Sequence, residues 1–167
     1  MKSVLISIQP KWCELIASGK KTVEVRKTRP KLDLPFKCYI YCTNAKGQAF
    51  FAKGENGNYA PARLGNSKII GEFVCDYMTG LKADNMVQAY YNNTKDTCLT
   101  DEEIKRYANG KKLYYWHISD LVIYDKPREL REFRSYNCRI GIDENGYLMP
   151  THEITRPPQS WCYVEQN

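Results

Sequence analysis

Apolar and polar positions along the chain fall mainly into the two-residue rhythm of strands, broken by a few short stretches of helical spacing. Val4–Ile8 is apolar and β-branched, which predicts a buried strand. Pro10 suits the first turn of a helix, where its missing N–H costs nothing. Trp12, Leu15 and Ile16 then stand at i, i+3 and i+4 on one apolar stripe. Gly19 ends that helix as a left-handed C′ residue. The chain re-enters as a strand over residues 22–28. Val23 and Val25 point to one face and Thr22, Glu24 and Arg26 to the other, because strand side chains alternate.

The same reading continues downstream. Residues 36–43 alternate Phe36, Cys38, Ile40 and Cys42 against Lys37, Tyr39 and Tyr41, with Pro35 at the strand's entrance. Residues 44–67 are rich in Gly, Asn and Ala without clear periodicity, which predicts a long loop or irregular hairpin partly covering the binding face. Residues 68–78 form a strand in which Gly71 marks a bulge or a close backbone approach. A helical insertion is expected near 84–110: a short helix at 84–92, then a second one capped by the box Thr100-x-x-Glu103 and ended by Asn109-Gly110. Residues 112–124 carry the longest strand signal, bent near Ser119-Asp120 and closed by Pro127, with one helical turn over 129–133. Residues 139–142 and 147–149 flank the turn Asp143–Gly146. A last strand over 160–165 would close the sheet. The class is α+β: one domain over residues 1–167, a small, mixed, mostly antiparallel β-barrel with peripheral helices.

Composition narrows the function classes. Hydrophobic content of 43% and charged content of 26% are ordinary for a globular chain. No run approaches the roughly 20 apolar residues a membrane helix needs. The start, MKSVLISIQPK, lacks the apolar run and small-residue cleavage site of a signal peptide. Seven cysteines at scattered spacings, with no Cys-x-x-Cys pair and only His117 and His152 beside them, argue for free thiols in a reducing cytoplasm. No metal and no cofactor are expected. The net charge of +6 permits an anionic partner without requiring one.

Charge is concentrated where the polar strand face lies. Lys20, Lys21, Arg26, Lys27, Arg29 and Lys31 stand together with Glu24 alone against them. The triplet Thr22–Glu24–Arg26 could be the wet face of a sheet, or Glu24 could form a structural ion pair with Lys21 or Arg26. The continuing basic run favours a cationic rim for a phosphate-bearing or nucleobase ligand. Aromatic content of 13% adds stacking surfaces, and Trp116 and Trp161 are the candidates chosen. Each of these is also an ordinary core residue of a strand.

The run SIQPKWCELIASGKKTVEVRK resembles the start of the ASCH domain family, a branch of the PUA-like β-barrels. The shared mark is a helix ending in Gly19-Lys20-Lys21-Thr22, followed by a strand with Glu24 and Arg26. KIIGEFVCD at 68–76, YYWHISDL at 114–121 and PPQSWCYVE at 157–165 resemble the same family, in particular its phage and prophage members. The resemblance implies a PUA-like fold and an RNA or nucleotide ligand, in a cleft formed by Lys20, Lys21, Thr22, Glu24, Arg26 and Lys27. It also implies an alternative. Small bacterial members act as amidohydrolases on N4-acetylcytidine, with a Lys that maps onto Lys21, a Thr that maps onto Glu24, and a further Glu for which Glu102 and Glu103 are available. An enzyme here, amidase or ribonuclease, would use Lys21 and Glu24 as its catalytic pair.

Overall fold

All six residues of β1 (Ser3–Ile8) are buried, so this strand needs cover on both faces. The computed structural model describes residues 2–52, 63–82, 95–136, 141–142, 148–149 and 152–166. In it β1 lies inside a seven-stranded sheet. It runs parallel to β3 (Phe36–Cys42) and antiparallel to β14 (Trp161–Gln166). The sheet continues through β3 to β6 (Lys68–Cys75) and β9 (Ser119–Arg128), and through β14 to β10 (Phe133–Ser135) and β13 (His152–Glu153). Alternation along β3 supplies two cores. Cys38, Ile40 and Cys42 join Val4, Ile6 and Phe73 on one face. Tyr39 and Tyr41 join Leu5, Ile69 and Phe133 on the other.

A second sheet has the order β2 (Val23–Arg26), β8 (Lys112–His117), β7 (Met78–Lys82). Its outer face is packed by α2 (Asp101–Ala108), whose Ile104 and Ala108 bury against Val23, Val25, Leu113 and Tyr115. The helix starts as the sequence predicts. Thr100 Oγ1 accepts from the Glu103 N–H, and Glu103 Oε2 accepts from the Thr100 N–H at 2.8 Å. Asn109 ends it at φ 46°.

The expected closed barrel is not formed by the described strands. The larger sheet ends at β13 on one side and β9 on the other, and β2, β8 and β7 pair only with one another. The cause lies in two corners. The strand expected over 68–78 breaks at Asp76-Tyr77, and the strand expected over 112–124 breaks at Ile118, so each sends its two halves into different sheets. The His117 N–H bonds the Tyr77 carbonyl at 3.0 Å, tying the two corners together. Asp120 at φ 45° and the shifted register between β6 and β9 mark the bend expected near Ser119-Asp120. Gly71 is required there: a Cβ would stand 2.3 Å from the Val122 carbonyl oxygen.

Other expectations also change. β14 does not close the sheet but lies within it, between β10 and β1. Pro127 does not end β9, which runs on to Arg128, before a short 3₁₀ turn over Leu130–Glu132. In the 44–67 stretch, β4 (Phe51–Ala52) pairs with β5 (Arg63–Leu64), and this hairpin lies against β9 rather than over the polar face of β2. The expected pairing of residues 139–149 appears as β11 (Gly141–Ile142) with β12 (Leu148–Met149). The helix expected over 84–92 lies outside the described residues. The six cysteines among the described residues are free thiols, and burial pushes Cys75 up to about 12 and Cys162 up to about 11. No described helix is long and apolar enough to cross a membrane.

Candidate functional site

The helix α1 (Pro10–Ala17) aims the basic motif. Gly19 at φ 72° gives its N–H to the Ile16 carbonyl, and the Lys20 N–H reaches the Leu15 carbonyl, both at 2.9 Å. This is a Schellman closure. The Lys21 N–H reaches the same Leu15 carbonyl at 2.9 Å, so the chain turns back under the helix and Lys21 goes inward.

The polar face of β2 is not the solvated face of a sheet. Lys21, Glu24 and Arg26 are only 2%, 6% and 9% exposed. Lys21 Nζ donates to the carbonyls of Val23 and Thr97, both at 2.8 Å, and stands 3.4 Å from Glu24 Oε2. Arg26 Nη2 donates to the Ser7 carbonyl at 2.6 Å, while Nη1 makes only a 3.5 Å bond to Ser160 Oγ. Arg26 Nε lies 3.0 Å from Glu24 Oε1 but is not aligned to donate to it, so this contact is ionic and Nε has no hydrogen-bond acceptor. Two buried cations thus share one buried carboxylate. Such a cluster is costly to desolvate and is weak evidence of a purely stabilising role.

This cluster floors a cleft of about 780 Å³, within the size range of small-ligand sites. One wall is the end of β1 and the start of α1: Ser7, Ile8, Gln9 and Trp12. A second is the outer side of α2: Glu103, Arg106 and Tyr107. The third is Pro157, Pro158 and Gln159. That last segment is held by Ser7, whose Oγ donates to the Pro158 carbonyl at 2.6 Å and whose N–H donates to the Ser160 carbonyl at 2.9 Å. Glu103 faces the cleft, yet its carboxylate caps α2. The hydrogen bond from Thr100 holds its carboxyl below the usual range.

The structure brings Lys21, Glu24, Arg26 and Lys27 together on the cleft. Lys20 is exposed and Thr22 half-buried, and neither lines it. Thr22 instead holds the fold through its backbone, bonding Asp96 and Ile118 at 2.9 Å. The two tryptophans chosen from the sequence are elsewhere. Trp116 is wholly buried, edge-on to Phe36, because it stands opposite Glu24 on β8 and faces the space between the sheets. Trp161 packs on Trp116 and Tyr163 and donates its indole N–H to Thr28 Oγ1 at 2.9 Å. Trp12, Arg106 and Tyr107 were missed. The apolar stripe of α1 classed Trp12 as core, while Arg106 and Tyr107 share a helical face with Glu103 at i+3 and i+4, a signal visible in the sequence. His117 lies off the cleft, paired with Asp76 at 2.7 Å. Among the described residues no cluster of His, Cys, Asp or Glu could hold a metal ion.

The sequence model of the ASCH domain family matches residues 6–132. No curated protein matches the chain. Among solved structures, the crystal structure of ASCH from Zymomonas mobilis superposes with a TM-score of 0.62 at 18% identity, covering 98% of this chain and 87% of that one. A tyrosine-to-phenylalanine mutant of that protein gives 0.62 and 18%, over 99% and 91%. A serine-to-alanine mutant gives 0.61 and 18%, over 98% and 88%. This likeness shows the fold.

Proposed function

This chain belongs to the ASCH domain family, and on that premise we propose that its cleft binds a nucleotide unit of single-stranded RNA, as one ASCH domain spanning residues 1–167. The observation that carries the reading is Glu24. Its carboxylate lines the cleft between two cations that it meets without a short hydrogen bond from either, at 3.4 and 3.0 Å. A carboxylate has about four acceptor positions, so Glu24 retains capacity for the N–H groups of a base edge. Arg26 Nη1 has donor capacity for a base or phosphate oxygen. The exposed Lys27 and Arg106 at the rim supply positive charge for phosphates.

The hydrolase alternative meets an obstacle at Lys21. Two carbonyls and a carboxylate surround its ammonium, so it must give up a proton and one of these contacts before its nitrogen can serve as base or nucleophile. Glu24 also stands where the amidohydrolase members resembling this chain carry Thr. The free thiols fit a cytoplasmic protein, and the likeness of the motifs at 68–76, 114–121 and 157–165 to phage and prophage members supports a member of that type.

Titration of labelled single-stranded RNA at several salt concentrations tests the reading. Affinity should fall with salt, each phosphate contact adding about 0.7 to the log–log slope. Glu24→Gln should weaken binding by about 1–3 kcal/mol. Absence of binding at low salt overturns the proposal. So does multiple-turnover release of acetate from N4-acetylcytidine by the wild type that is lost in Lys21→Met.

A further inference from the structure

We infer that Trp12 on α1 and Tyr107 on α2 are the stacking surfaces of the cleft, seating the base whose polar edge meets Glu24; this rests on the binding reading above. Trp12 is the one tryptophan of the three that lines the cleft. Trp116 is sealed in the core, and Trp161 is engaged by Thr28, Trp116 and Tyr163. Tyr107 is 37% exposed although the adjoining face of its helix, Ile104 and Ala108, is completely buried. A large ring left open on a cleft wall has apolar area still to cover.

Each ring also carries cations. Lys11 Nζ lies 4.3 Å and Lys21 Nζ 5.3 Å from the Trp12 ring centre, and Lys27 Nζ lies 4.7 Å from that of Tyr107. Lys21 in turn contacts Glu24 at 3.4 Å, which puts Trp12 one side chain away from the acidic floor. Tyr107 lines the same cleft as Glu24 and Arg26. Aromatic faces interleaved with ammonium groups are what an unpaired nucleotide needs, a ring for the base and a cation for the adjoining phosphate. The ligand class is therefore an unpaired nucleotide within a single strand. A duplex, whose bases are already stacked, is disfavoured.

The test compares a short oligoadenylate with a strand of equal length and charge lacking bases. Wild type should bind the oligoadenylate about 5–150-fold more tightly, the equivalent of one stacked base. Trp12→Ala and Tyr107→Ala should each lose a factor of that order, while Trp12→Phe and Tyr107→Phe retain most of the affinity and all four keep the wild-type salt slope. Indole fluorescence gives a second readout: the oligoadenylate should quench wild type, and Trp12→Phe should bind without that quenching. Tyr107→Ala removes an exposed ring, so it keeps the test decisive if Trp12→Ala fails to fold. If both phenylalanine and alanine variants bind as wild type does while Glu24→Gln still weakens binding, the stacking inference falls and the binding reading stands. If neither strand binds at low salt, both fall.

Discussion

Lys21 directs its ammonium at two carbonyls and one carboxylate, all within 3.4 Å, at a position only 2% exposed. Removing one partner of a buried ion pair costs about 3–5 kcal/mol, because the other charge is left without compensation. Lys21→Met should therefore lower the unfolding free energy of the ligand-free protein by an amount in that range, read as a lower urea midpoint, whatever the protein binds. An unchanged midpoint would mean that Glu24 is satisfied by Arg26 alone. The motif itself was legible: Gly19, Lys20, Lys21, Thr22, Glu24 and Arg26 announced a turn and a polar strand face. What the motif did not say is that Lys21, unlike the rim residue Lys27, is a buttress under Glu24. Alternation fixes which face a side chain takes, but the depth of that face depends on what packs against it, here Ser7 and Ser160, far away along the chain.

The helix α2 holds three residues of one cleft wall and is anchored by a single capping box. Thr100→Ala should cost about 1 kcal/mol, read as a lower denaturation midpoint and faster amide exchange over residues 101–104. The cap also depends on pH. Glu103 has its carboxyl lowered in the folded state, chiefly by the hydrogen bond from Thr100, so its contribution is complete above the ordinary carboxylate range and is lost as pH falls through the lowered value. Glu103→Gln should flatten that part of the stability–pH curve. A curve identical to wild type would remove Glu103 from the cap. This helix was readable because its signals are local: a box at one end, Asn109-Gly110 at the other. The two broken strands were not. Nothing within 68–78 or 112–124 states that consecutive residues join different sheets, since that depends on pairing with β2 and β9. Only Gly71 and the bend near Asp120 hinted at it.

For the whole molecule the two sheets meet over Trp116, whose indole sits between Phe36 and Trp161. Trp116→Ala should cost about 3–5 kcal/mol, a large share of the roughly 5–15 kcal/mol that holds a domain together. Its thermal midpoint should fall while any protein that remains folded binds RNA with the wild-type salt slope; a selective loss of affinity would return Trp116 to the binding surface. The third cleft wall has a different consequence. Ser7 is joined to Pro158 across 151 residues of chain, and Arg26 to Ser160 across 134. On the ribosome, the whole basic motif leaves the exit tunnel long before the residues that wall it in. Until the segment around Pro158 emerges, the nascent chain displays Lys21, Glu24 and Arg26 as an open ledge, and β1 lacks the neighbour it will have in β14. The cleft is therefore among the last features to form during synthesis, although the residues that define it are among the first to be made.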